Sequence, residues 1–286
     1  MSDNVYNILT EAQAILKSAD IDSHQLDAEI LLFHILNINK LDLLTGCYKK
    51  ANKEQIREYF ELVKERSKYK PVSKIIGIKE FYSHDFIVSK DVLDPRPESE
   101  LIIDMLKFNF EANQEFKILD LATGSGCLAL TASLHFPNAQ ITASDISSKA
   151  SKIFNQNLKK HELEDRVTFI KSDLFENIQD KFNVIISNPP YIKSADIDRL
   201  QPDVKKYDPK IALDGGANGL NFYKNIAAKA NNFLLSDGII ILEIGEGQEE
   251  SICNIFSAKH FKPLNSLKDL QGIVRTLCLR KNCIKE

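Results

Sequence analysis

From residue 99 onward the chain alternates short apolar runs with helical spacers, and no other feature limits its fold as tightly. The runs at 117–121, 140–144, 167–171, 183–187 and 238–244 have the length and apolar content of buried strands. Parallel neighbours in a sheet need a crossover connection, usually a helix, and helices then cover both faces. Five such strands with helical spacers between them therefore predict a mostly parallel, doubly wound sheet. Two further strands are expected near 264–268 and 273–279, close enough in sequence to form an antiparallel hairpin at the end of a seven-stranded sheet.

Residues 1–75 are different in kind. Val5, Ile8, Leu9, Ala12, Ile15 and Leu16 recur at intervals of three and four, the spacing of one helix face. Asp22 or Ser23 is placed to cap a second helix carrying Leu26, Ile30, Leu31, Phe33, Ile35 and Leu36. Asn52 is placed to cap a third, with Ile56, Tyr59, Phe60 and Val63 on one face and Pro71 to stop it. A shorter helical turn is expected at 41–44. In residues 76–98, Phe81, Tyr82, Phe86, Val88 and Val92 alternate loosely ahead of Pro95 and Pro97, which predicts a hairpin or extended linker. The expected division is a helical bundle at 1–75, a linker at 76–98 and an α/β domain at 99–286.

Charge bears on what such a protein can bind. The 37 Lys and Arg against 40 Asp and Glu give a net charge of −3, and a protein that coats nucleic acid needs a surplus of cations. Residues 1–36 hold one lysine against six acids, and residues 37–75 hold ten cations against five acids. Solvated helix faces account for any single one of these charges, whereas a dipolar docking module would make sense if the rest of the chain acts on a macromolecule. The five cysteines, Cys47, Cys127, Cys253, Cys278 and Cys283, are odd in number and lack C-x-x-C spacing, which favours a reducing compartment over a disulfide framework or zinc ribbon. Cys127 is expected to pack under a turn rather than act as a nucleophile. The six histidines, at 24, 34, 84, 135, 161 and 260, are scattered without metal-ligand spacing, so no metal is expected. Met1-Ser2-Asp3-Asn4 carries no basic leader, and runs such as 239–242 are too short to span a bilayer. A cytoplasmic monomer without membrane or direct nucleic-acid contact is expected.

The first chemical motif is Asp120-Leu121-Ala122-Thr123-Gly124-Ser125-Gly126-Cys127, between an apolar strand and an apolar helix. Gly124 and Gly126 let the backbone turn sharply and approach a ligand. Asp145 follows at the end of the next strand, where a carboxylate can accept both hydroxyls of a ribose. Strand, glycine turn, helix, strand and acid in that order point to a nucleoside cofactor. A dinucleotide fold usually adds a third glycine, which Cys127-Leu128-Ala129 does not supply.

The second motif, Asn188-Pro189-Pro190-Tyr191, ends the fourth strand. In an open α/β sheet ligands bind where strand order reverses, so this segment and the glycine turn are expected to face one crevice. A planar nitrogen, whether amide or aromatic amine, is a poor nucleophile because its lone pair is delocalised. Asn188 offers a side-chain carbonyl and Pro189 a backbone carbonyl to hold the two N–H groups of such a nitrogen. Tyr191 offers a flat packing face. Catalysis would then be orientation plus hydrogen-bond preorganisation, with neither a covalent intermediate nor an essential general base.

The glycine turn with Asp120 resembles that of the class I, Rossmann-like methyltransferases, which bind S-adenosylmethionine. The resemblance implies cofactor contacts by Ala122, Thr123, Gly124, Ser125, Gly126, Asp145 and Asn188, with Asp173 at the adenine amino group and Leu174 packing on adenine. Ala122 stands where that family usually has glycine. Asn-Pro-Pro-Tyr occurs both in adenine amino-methyltransferases and in glutamine-amide methyltransferases. The flanking segments decide between them. Pro71-Val72-Ser73-Lys74-Ile75-Ile76-Gly77, Pro95-Arg96-Pro97-Glu98-Ser99-Glu100, Tyr207-Asp208-Pro209, Gly215-Gly216-Ala217-Asn218-Gly219-Leu220 and Leu242-Glu243-Ile244-Gly245 are similar to the bacterial release-factor glutamine methyltransferases, the PrmC/HemK family. Ser99 replaces a usual threonine and Asp208 a common glutamate. The resemblance implies methylation of the glutamine in the Gly-Gly-Gln loop of class I release factors. It also makes residues 1–75 a substrate-docking domain, and gives Asn188, Pro189, Pro190 and Tyr191 the substrate-binding and catalytic roles. Arg96 reads equally as a packing salt bridge, and Glu243 as a partner for nearby backbone groups. The rival readings are an adenine methyltransferase, a non-catalytic adaptor of the translation machinery and, more weakly, a nicotinamide-dependent oxidoreductase. The adenine reading calls for a basic groove, which the 26 cations against 29 acids of residues 76–286 do not favour.

Overall fold

The computed structural model describes residues 5–46 and 50–282. Met1 to Asn4, Cys47 and Cys283 lie outside the described residues. The chain forms two compact units, one of residues 1–78 with 201–207, the other of residues 79–200 with 208–286.

In the first unit, α1 (Val5–Ser18) buries Val5, Ile8, Leu9, Ala12 and Leu16, whereas Ile15 is exposed. Helix α2 (His24–Leu36) follows Ser23, whose hydroxyl is spent on Asp27 (2.7 Å) rather than on a cap. Asp27 in turn forms a buried ion pair with Arg66 at 2.6 Å. Leu26 is exposed, because Asp27 and Ala28 take the inward positions of that turn. Capping boxes open α3 (Lys40–Thr45, from Asn39 and Asp42) and α4 (Lys53–Arg66, from Asn52 and Gln55). The sequence predicts that Pro71 ends α4, but it does not. The helix stops at Arg66, Tyr69 turns left-handed at φ 70°, and Pro71 instead opens α5 (Val72–Ile76). The segment 201–207, distant in sequence, completes this unit. Its Tyr207 accepts from Lys74 Nζ (2.6 Å) at the carbonyl and donates from the hydroxyl to the Lys68 carbonyl (3.2 Å).

The second unit opens with a hairpin, β1 (Ile78–Phe81) and β2 (His84–Ile87), turned by Tyr82 and Ser83, both at positive φ. Helix α6 (Glu100–Asn109) leads to the sheet. Its strands are β3 (Lys117–Leu121), β4 (Gln140–Asp145), β5 (Val167–Lys171), β6 (Phe182–Ser187), β7 (Leu234–Glu243), β8 (Phe261–Lys268) and β9 (Val274–Lys281). Their order is β5-β4-β3-β6-β7-β9-β8. The first five pair in parallel, and β9 pairs antiparallel with both β7 and β8. The expected seven-stranded, mostly parallel sheet is thus present, with its terminal hairpin.

Period-two alternation sorts the strand residues into two cores. Ile118, Val184, Ile186, Ile239 and Ile241 face α6, α7 (Cys127–His135) and α8 (Ser148–Lys160). Leu119, Leu121, Ile185, Ile240 and Leu242 face the other way, onto Tyr223, Ile226, Ile252 and Phe256. The short α9 (Pro202–Tyr207) lies in the first unit. Helices α10 (Asn221–Phe233) and α11 (Glu249–Ser257) supply the second core. One expected spacer is missing: residues 172–181, between β5 and β6, contain no helix. Leu174 turns left-handed at φ 46° and Phe175 and Ile178 are buried, so a ten-residue connection meets the core without a helical repeat. The histidines are less scattered than the sequence suggests. His84 lies 6.0 Å from His135 and 6.1 Å from His161, ring to ring, and burial lowers the pKa of the latter two. Among the described residues no helix is long and apolar enough to cross a membrane, and no three His, Cys, Asp or Glu side chains are placed to hold a metal ion.

Candidate active site

Strand order reverses between β3 and β6, which run side by side with Leu121 paired to Ser187. The Ser187 hydroxyl donates to the Leu121 carbonyl at 2.7 Å, so the glycine turn and Asn188-Pro189-Pro190-Tyr191 leave the sheet from adjacent strand ends. The two motifs singled out in the sequence therefore meet at the carboxyl edge.

Ala122, Gly124 and Gly126 all have positive φ (58°, 59° and 86°). Ala122 thus holds a conformation that favours glycine, at a cost of roughly 1–2 kcal/mol. The two glycines serve different ends. A Cβ on Gly126 would stand 2.6 Å from the Phe154 ring, so this glycine lets α8 close on the turn. A Cβ on Gly124 would meet nothing within 4 Å, so its face is open. Beside that face, Asp145 Oδ2 accepts from the Gly124 amide at 2.9 Å and Oδ1 from Ser147 at 2.8 Å. The Ile146 backbone amide takes a third of the roughly four acceptor sites of a carboxylate, so about one remains for a hydroxyl. Thr123 and Ser125 are buried, and Thr123 donates to Asp120 Oδ2. Asp120 Oδ1 is buried without a hydrogen bond. Burial pushes the Asp120 carboxyl up to about 7, although Thr123 and the Ala129 backbone pull it down. Asp173 is exposed just past β5, and Leu174 packs partly on the α10 and α11 core. Burial drives the Cys127 thiol up to about 12, so it stays protonated, as a packing residue would.

At the end of β6, Pro189 and Pro190 are buried and Asn188 and Tyr191 partly so. Asn188 Nδ2 donates to Ser99 Oγ at 2.9 Å. Ser99 in turn donates to Glu243 Oε2, and the Tyr191 hydroxyl donates to Glu243 Oε1 at 3.1 Å. Glu243 therefore binds two side-chain hydroxyls, not the nearby backbone groups expected of it. Ser99 and Glu243 each lie in a segment that resembles the family, but nothing in the sequence joins them to Asn188 and Tyr191 as one cluster. Arg96 pairs with Asp208 at 2.7 Å inside the second unit. Glycines press against the motif from behind. A Cβ on Gly215 would lie 2.8 Å from the Pro190 carbonyl, and one on Gly219 2.3 Å from that of Tyr191. Gln248 clasps the same segment, donating to the Tyr191 carbonyl at 3.1 Å and accepting from Gly245 at 3.0 Å. A cleft of about 480 Å³ opens beside Tyr191, lined also by Leu220, Gly245 and Gln248.

Burial also pushes Glu243 up to about 7, against the Ser99 and Tyr191 hydroxyls that lower it. Asp120 and Glu243 both titrate higher folded than unfolded, so the folded protein binds more protons between about pH 4 and 7. Their contribution to stability is complete below the unfolded values and is lost as pH rises through 7. We expect Glu243→Gln or Asp120→Asn to flatten the fall in urea midpoint between pH 5 and 8, by on the order of 2 kcal/mol each. Urea titrations at stepped pH values would show it; parallel wild-type and variant curves would refute it.

Comparison with known proteins fits this geometry. Residues 7–77 match the PrmC N-terminal domain and residues 79–201 the methyltransferase small domain. A methyltransferase from Pyrococcus furiosus shares the fold, with a TM-score of 0.54 at 19% identity over 71% of this chain and 92% of that one. The bifunctional methyltransferase of Rickettsia felis is 36% identical over 97% of the chain, which spans only 58% of that longer protein. The release factor glutamine methyltransferase of Thermodesulfovibrio yellowstonii is 38% identical over 90% of this chain and 92% of its own length. That of Clostridium botulinum is 36% identical over 96% and 98%. On identity sustained along nearly the whole of both sequences, the chain belongs to the release factor glutamine methyltransferase family.

Proposed function

We propose that this chain transfers a methyl group from S-adenosylmethionine to the side-chain amide nitrogen of the Gly-Gly-Gln glutamine in class I release factors. The observation that carries the reading is the meeting of an open glycine turn and an acceptor-rich Asn-Pro-Pro-Tyr segment on the adjacent strands β3 and β6. The open face of Gly124 beside Asp145 suits a ribose, with Asp173 and Leu174 assigned to the adenine. When bound, S-adenosylmethionine supplies an electrophilic methyl group on its sulfonium. Asn188 Oδ1 and the Pro189 carbonyl accept the two N–H groups of the substrate amide, and the Tyr191 ring packs on its plane. Held in this way the nitrogen can pyramidalise toward the methyl group, and positioning lowers the barrier without a covalent intermediate. The surplus proton leaves after transfer to water. The helical unit is assigned to docking of the release factor.

The direct test incubates the protein with S-adenosylmethionine and a release factor and reads the Gly-Gly-Gln peptide by mass spectrometry. One added methyl group on that glutamine is expected. An unmodified glutamine from a protein that binds S-adenosylmethionine would reject the substrate assignment. Methylation of duplex DNA in a parallel reaction would favour the adenine reading instead.

A further inference from the structure

We infer that Ser99 and Glu243 are positioning residues for Asn188: they hold its amide so that Oδ1, not Nδ2, is left to accept from the substrate, and they link it to Tyr191 through one carboxylate. The inference rests on the proposed role of Asn188 as acceptor for the substrate amide, and it follows from counting hydrogens. With Glu243 ionised, as it is above about pH 7, the one hydrogen of Ser99 Oγ goes to Glu243 Oε2. Toward its other neighbour Oγ can only accept, and the atom 2.9 Å away must therefore be an N–H. An amide turned over would set Oδ1 against an oxygen with no hydrogen left to give. Ser99 and Glu243 are 2% and 1% exposed, so bulk water is not at hand to repair the mismatch.

The second oxygen of Glu243 takes the Tyr191 hydroxyl, so the two side chains assigned to the substrate share a single anchor. The anchor joins three separate segments. Ser99 lies 89 residues before Asn188 and 144 before Glu243. Ser99 sits just before α6, Asn188 just after β6, and Glu243 at the end of β7. A freely rotating Asn188 would offer its amino group to a substrate N–H half the time, donor against donor. The cost falls on turnover, because the glycine turn and Asp145 are not part of the linkage.

The test has a structural arm and a kinetic arm. In the structural arm the Asn188 side-chain amide is followed by nitrogen-15 NMR in the full chain and identified by its loss in Asn188→Asp. Slow hydrogen exchange is expected in the wild type. Ser99→Ala should speed it by about tenfold or more, and Ser99→Thr should leave it slow. Ser99→Cys, similar in volume but a poor acceptor, serves in place of Ser99→Ala if that variant folds badly. Exchange unchanged by loss of the hydroxyl would overturn the inference without reference to any substrate.

In the kinetic arm Ser99→Ala should lower kcat about 10- to 100-fold with the KM for S-adenosylmethionine within about twofold, and Ser99→Thr should restore it. Glu243→Gln, with one acceptor oxygen for two hydroxyls, should fall between these. Added to Asn188→Ala, Ser99→Ala should cost less than about twofold more, because it acts through the side chain already removed. Fully additive losses would overturn the inference. Slow exchange in a wild type that leaves glutamine unmethylated would keep the positioning role and reject the substrate reading.

Discussion

Asn188→Ala is expected to lower turnover by roughly a thousandfold while leaving S-adenosylmethionine affinity within about threefold of wild type. The substitution removes the proposed acceptor for one substrate N–H and leaves the sheet untouched. Its effect on folding should be small, because Asn188 is only partly buried and its one side-chain bond is to Ser99. Most of the proposed cofactor contacts belong to other residues, above all Gly124 and Asp145, which are joined to each other. Single-turnover rates together with calorimetric titration of S-adenosylmethionine separate the two. Equal losses in rate and affinity would contradict the role assigned to Asn188.

Gly219→Ala is the second change with a large expected effect. Its φ of 72° is left-handed, which alone costs an alanine about 1–2 kcal/mol. The new Cβ would also stand 2.3 Å from the Tyr191 carbonyl and 2.8 Å from Gln248 Nε2. Backbone must move, and the backbone that moves belongs to the Asn-Pro-Pro-Tyr segment. A stability loss of about 3 kcal/mol or more is expected, with kcat down at least about a hundredfold in what remains folded. Gly247→Ala is the control. It has the same sign of φ (73°) but nothing within 4 Å of the added carbon, so only the conformational cost applies, about 1–2 kcal/mol. Urea midpoints compare the two, and equal losses would mean that the close approach carries no weight.

Much of this architecture was legible in the sequence because parallel strands buried on both faces are written as unbroken apolar runs. Ile239 to Leu242 is such a run, and its alternate residues serve opposite cores. Legibility failed where polarity or long-range pairing intervened. Strand β7 begins at Leu234, but Leu235, Ser236 and Asp237 are exposed and the ladder with β6 shifts register there, so Ser236 and Asp237 separate the start from the apolar run. The helix expected between β5 and β6 is absent because a left-handed Leu174 interrupts what looks like a helical spacing. The two candidate site motifs could be read because each is local and ends a strand. The link between their supports could not: Ser99 and Glu243 lie in separate family-like segments, 144 residues apart in the chain. The same holds for His84, His135 and His161, which only folding brings together.

The helical unit is not a contiguous stretch of chain. Helix α9, from the middle of the sequence, gives Lys74 a carbonyl acceptor and places Lys206 over the Tyr69 ring at 5.8 Å. A fragment cut after residue 78 would lose both contacts. Transplanting the bundle onto another enzyme would need residues 201–207 carried along as a second insert. Recombination at one junction therefore cannot exchange this bundle whole.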